Sequence, residues 1–109
     1  MSALPSRLTL ARVDELGDPC AVIVHAGETT LVLTRSGERV RAFRNRCPHA
    51  GYPLQRHDGR IVVQEGRYLV CGAHGASFTL DGACAGGPCN GDALESVAIV
   101  VSDGIVRLA

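Results

Sequence analysis

The sequence has no lysine: all eleven basic side chains are arginines, and eleven acids balance them to a formal net charge of zero. Nucleic-acid-binding domains are usually basic overall, so this balance argues against that class. No run approaches the roughly 20 apolar residues of a membrane-spanning helix, and Pro5 and Arg7 break the N-terminal stretch where a signal peptide needs continuous apolar residues. Together these absences predict a cytoplasmic protein with no membrane partner. Also missing are any long stretch of helical period, any solenoid repeat, and a glycine-rich turn leading from strand to helix, so nucleotide binding is not indicated.

What is present is a chain of 109 residues, one domain by length, with 46% hydrophobic and 20% charged residues, the composition of an ordinary folded protein. Apolar and β-branched stretches of strand length recur at 8–13, 21–25, 29–34, 40–43, 61–64, 68–71, 77–80, 96–101 and 105–108. Ser36-Gly37, Asp58-Gly59, Glu65-Gly66, Asp81-Gly82 and Asp103-Gly104 each fall between two such stretches, the pattern of antiparallel hairpins. Alternation in Thr30-Leu31-Val32-Leu33-Thr34 and Val40-Arg41-Ala42-Phe43-Arg44 suits strands with one buried face. The fold class is therefore all-β, an antiparallel sandwich or open barrel. Residues 1–44 and 94–109 read as its base, while about 45–92, rich in Gly, Pro, Cys and His, read as a small inserted subdomain.

Five cysteines in a cytoplasmic domain suggest metal or redox chemistry before a disulfide framework, and the odd number disfavours complete pairing. Cys20 reads as a small buried apolar residue. Cys47-Pro48-His49 and Cys71-Gly72-Ala73-His74 are the informative pair, two short loops that each offer one sulfur and one nitrogen ligand. Thiolate and imidazole suit both iron and zinc. Zinc sites with two Cys and two His normally take the cysteines from one knuckle and the histidines from a helix, whereas here each loop is mixed. Mixed loops have a natural use when two metal ions are bridged, Cys47 and Cys71 holding one and His49 and His74 the other. His25 and His57 have no nearby sulfur partner and read as ordinary core or surface residues.

The motifs Cys47-Pro48-His49-Ala50-Gly51 and Cys71-Gly72-Ala73-His74-Gly75-Ala76-Ser77-Phe78 resemble the two ligand loops of the Rieske proteins, and Gly86-Gly87-Pro88 is similar to the proline loop over their cluster. The resemblance spans most of the chain. It implies one 2Fe-2S cluster, held by Cys47, His49, Cys71 and His74. Between His49 and Cys71 lie 21 residues, more than in compact members, a length that a surface connection tolerates. Where the quinol-oxidising members resemble one another in an extra disulfide between the loops, this chain has Tyr52 and Ala73. Where they place a serine and a tyrosine that bond to sulfur, it has Ala76 and Phe78. Two absent donors leave the charge of the reduced cluster less stabilised, so the resemblance implies the low-potential, ferredoxin-like subtype, near the bottom of a range of roughly −150 to +300 mV.

Cys84 and Cys89 flank the proline loop, and the reducing compartment expected for the chain favours thiols over a disulfide there. Residues 35–60 carry seven arginines against Glu38 and Asp58, which reads as a solvated surface or as a docking face. Arg44 and Arg46, just before the first loop, are expected to steer an acidic partner. The functional expectation is a one-electron carrier, not an enzyme on its own, that takes electrons from a flavin or other reductase and passes them to an oxygenase or another redox enzyme. A redox-sensing or regulatory subunit of a larger oxidoreductase would use the same cluster, and a structural zinc module would use the same ligands without colour.

Overall fold

The computed structural model describes residues 7–48, 53–56, 58–71, 76–87 and 92–109. Its strands are β1 (Thr9–Arg12), β2 (Cys20–Ala26), β3 (Thr29–Ser36), β4 (Arg39–Arg44), β5 (Val62–Gln64), β6 (Tyr68–Val70), β7 (Ser77–Thr79), β8 (Cys84–Gly86), β9 (Ser96–Val97), β10 (Ile99–Ser102) and β11 (Ile105–Leu108). All pairings are antiparallel, in three sheets ordered β1-β11-β10, β2-β3-β4-β9 and β5-β6-β7-β8. The first two come from the ends of the chain and the third from its middle. Among the described residues the only helical turn is the 3-10 segment Val13–Glu15.

Turn chemistry sets the register as the sequence suggests. Asp103 and Gly104 both adopt positive φ in the two-residue loop that pairs Ser102 with Ile105, the conformation that this dipeptide favours. Ser36-Gly37 joins β3 to β4, Glu65-Gly66 lies in the connection that pairs Gln64 with Tyr68, and Asp81-Gly82 joins β7 to β8. Asp58-Gly59 departs from the expectation: it forms a turn in which the Gly59 N–H donates to the Arg56 carbonyl (2.9 Å), and it leads into β5 without joining a strand pair. The stretch at 96–101 is split at Ala98, where the chain leaves β4 and joins β11.

The expectation of one buried face is also corrected. Leu31, Val32, Leu33 and Thr34 are all buried, because β3 is covered on both sides. Leu31 and Leu33 face the base core with Ala42, Val106 and Leu108, while Val32 joins Phe43, Leu69 and Phe78 in the core beneath the third sheet. Thr34 crosses the same boundary, its hydroxyl donating to the Leu80 carbonyl at 2.9 Å and so satisfying a group that would otherwise be costly to bury. Gly82 marks a close approach between the sheets. It is buried at φ +94°, and an added Cβ would stand 2.5 Å from Phe43 Cε1.

Candidate metal centre

The two loops that carry the predicted ligands are built differently. Cys71 follows β6 and Ala76 precedes β7, so the second loop caps a hairpin; the Cys71 N–H donates to the Ala76 carbonyl at 2.7 Å and Val70 pairs with Ser77 below it. The first loop follows β4, and among the described residues no strand pairs with it on its far side. A side chain closes it instead. Asn45 Oδ1 accepts the Leu54 N–H (2.8 Å), and its Nδ2 donates to Gln55 Oε1 (2.7 Å) and Thr30 Oγ1 (3.1 Å). The Asn45 amide thereby uses its oxygen and both hydrogens, tying the two feet of the loop to each other and to β3.

Both cysteines are buried at these loop feet. Cys47 is 0% and Cys71 1% exposed, and they share one cluster with Leu54, Leu69, Ala76 and Phe78. Neither is in a disulfide. Two thiols delivered by separate loops into one apolar cluster fit a metal that takes soft ligands from inside the protein. His49 and His74, the other predicted ligands, lie outside the described residues, as do Tyr52, Ala73 and Pro88. Ala76 and Phe78 are fully buried in this cluster and neither side chain carries a donor, which is the premise of the low-potential expectation.

Three sequence readings change at the site. Cys84 is disulfide-bonded, correcting the expectation of a thiol, while Cys89 lies outside the described residues. Arg44 is not available for steering, because its Nε lies 2.6 Å from Glu95 Oε2. Cys20 is only partly buried, at the start of β2, and burial pushes its thiol pKa up. His25 is exposed and His57 lies outside the described residues. The residue that sequence reasoning passed over is Asn45. Its one signal was an amide two positions before Cys47.

An antiparallel base that presents two loops, each sinking one thiol into a common apolar pocket, defines the class of iron-sulfur β domain that the motifs resemble. The chain belongs to the Rieske [2Fe-2S] domain family, whose model matches residues 6–101, and it binds a 2Fe-2S cluster as that family does. Among solved structures it is similar to the ferredoxin of carbazole 1,9a-dioxygenase from Nocardioides aromaticivorans IC177 (22% identity, TM-score 0.74, covering 96% of this chain and 98% of that one). It is also similar to the Sphingomonas yanoikuyae B1 ferredoxin (27% identity, TM-score 0.72, covering 94% and 96%). A third similarity is to a complex of reduced oxygenase and oxidized ferredoxin in carbazole 1,9a-dioxygenase (22% identity, TM-score 0.75, covering 94% and 91%). No curated protein sequence matches the chain.

Proposed function

We propose that the protein is a cytoplasmic one-electron carrier, a Rieske-type ferredoxin that accepts an electron from a flavin or other reductase and passes it to an oxygenase or another redox enzyme. The observation that carries this reading is the burial of Cys47 and Cys71 in one apolar cluster, in a chain of the Rieske family. The ferredoxin similarities support it, as does the solved complex of an oxygenase with a ferredoxin. Among the described residues no helix is long and apolar enough to cross a membrane.

When bound, the cluster supplies a reversible one-electron couple. The chain's own residues do the rest. Cys47 and Cys71 are the proposed thiolate ligands, and the Leu54, Leu69 and Phe78 side chains packed around them keep water from that side. His49 and His74 are the proposed imidazole ligands and the proposed route of the electron to a partner. Asn45 and the Cys71–Ala76 hydrogen bond hold the two loops at their feet. Residues 1–44 and 94–109 serve as the base on which a subdomain of about 45–92 is carried.

The test is direct. Freshly purified protein should be coloured, contain two iron and two labile sulfide per chain as the cluster formula requires, and give an electron paramagnetic resonance signal on reduction. His74→Cys should change that signal and lower the potential. A colourless protein holding one zinc ion would overturn the proposal.

A further inference from the structure

We propose that Arg46, Arg56 and Arg60 form a docking patch for an acidic face of a redox-partner protein, an inference that rests on the electron-carrier reading and names the chemistry of the partner. Its basis is the fate of each arginine in the cationic stretch 35–60. Arg35 is turned inward, donating to the carbonyls of Val13 (3.0 Å), Leu16 (2.9 Å) and Gly37 (3.0 Å). Arg39 and Arg41 share the Asp81 carboxylate at 3.1 and 2.8 Å. Arg44 is matched by Glu95. Arg46, Arg56 and Arg60 remain, all exposed and none with a carboxylate partner among the described residues.

Hydrogen bonds gather these three into one patch. Asn45 bonds to the Leu54 N–H and to the Gln55 side chain, so the backbone segments that carry Arg46 and Arg56, each one residue beyond that junction, are held near each other. The Arg56 N–H donates to the Arg60 carbonyl at 2.8 Å, which holds the third residue against the second. Asp58 lies in the same turn, where its Oδ1 accepts the Arg60 N–H at 3.0 Å. Counting it, the patch is three positive charges against one negative in a chain whose net charge is zero. Leu54, between the arginines and the core, packs in the same cluster as Cys47. The patch therefore sits at the foot of the first ligand loop, on the same segment as Cys47, one of the proposed ligands.

Arginine suits this use. Its planar fork pairs bidentately with carboxylates, and a local field steers a weak, transient encounter without tight binding. Among the described residues none of the three guanidinium groups has a bond that holds the fold, which leaves the patch for a partner outside it.

The experiment pairs Arg56→Glu with Arg67→Glu, two exposed arginines without an ion pair among the described residues and the same charge change, the second in the β5–β6 connection. Both cluster-loaded proteins are followed by stopped flow at low salt with two protein probes. Reduced flavodoxin, an acidic protein, gives one electron to the oxidised chain; cytochrome c, a basic protein, takes one electron from the reduced chain. Arg56→Glu is expected to slow flavodoxin oxidation about threefold to tenfold and to speed cytochrome c reduction, both effects vanishing at high salt, while Arg67→Glu changes either rate less than about twofold. Equal effects of the two substitutions, or none from Arg56→Glu, would overturn the patch. Arg56→Gln, which removes charge without adding any, should give a smaller change of the same sign and guards against a folding defect. If the unsubstituted protein carries no cluster, the electron-carrier reading fails, which is a separate outcome.

Discussion

The two ligand loops solve one problem by different means: the second is held by backbone and the first by a side chain. Between Cys71 and Ala76 the closing bond runs from main chain to main chain and continues as the β6–β7 ladder, so the loop depends little on which side chains it carries. Between Asn45 and Gln55 no ladder exists among the described residues, and the Asn45 amide supplies the closure. Equal burial of the two thiols thus conceals unequal tolerance to mutation. A loop closed by its backbone inherits the stability of its hairpin, whereas one closed by an amide can be opened by one substitution.

The largest expected effect tests what the loops share. Cys47→Ser and Cys71→Ser should each abolish the visible absorption of the purified protein, and retention of colour by either would remove that residue from the ligand set. Next comes what separates them. Asn45→Ala deletes three hydrogen bonds and strands the Leu54 N–H, a cost of about 2–4 kcal/mol measurable by urea unfolding of the cluster-loaded protein. A loss below about 0.5 kcal/mol, smaller than one ordinary hydrogen bond, would mean that the amide does not close the loop. Gly82→Ala should follow at about 1–3 kcal/mol, because its methyl group meets the Phe43 ring, itself 1% exposed and unable to retreat. Unchanged stability there would show that the two sheets can separate at this contact.

Two subtler outcomes concern charge. Phe78→Tyr, which restores a donor inside the pocket, should raise the midpoint potential; an unmoved potential in a cluster-loaded variant would sink the argument from missing hydroxyls. The smallest effect is at Cys20. Burial holds its thiol above the ordinary value, so the folded chain keeps a proton that the unfolded chain has already released. Its contribution to stability is complete below the unfolded thiol's value, about 8.5, and is lost as pH rises through the higher folded value. Cys20→Ala should flatten the alkaline decline in melting temperature, and an identical decline would acquit this thiol.

Much of this was legible in the residues. Hairpins at Ser36-Gly37 and Asp103-Gly104 could be read because those dipeptides favour turns in almost any context, and the cysteine loops because their spacing is set by a metal. Strand β8 was not read, since Cys84-Ala85-Gly86 has little β propensity and is held by pairing with β7 and by the Ala83–Ala93 bridge. The second buried face of β3 was hidden for a related reason: Thr34 looks like a solvent residue until Leu80 is brought over it. Partners such as Asp81 for Arg41 and Glu95 for Arg44 lie 40 and 51 positions away along the chain, a pairing that charge patterning cannot see.

One segment, Ser96 to Ser102, belongs to two sheets, lying against β4 before Ala98 and against β11 after it. That makes it the seam of the base. A backbone nick beside Ala98 would leave neither half able to complete its ladder, and amide protons on β4 and β11, far apart in the chain, should lose protection together in a single opening.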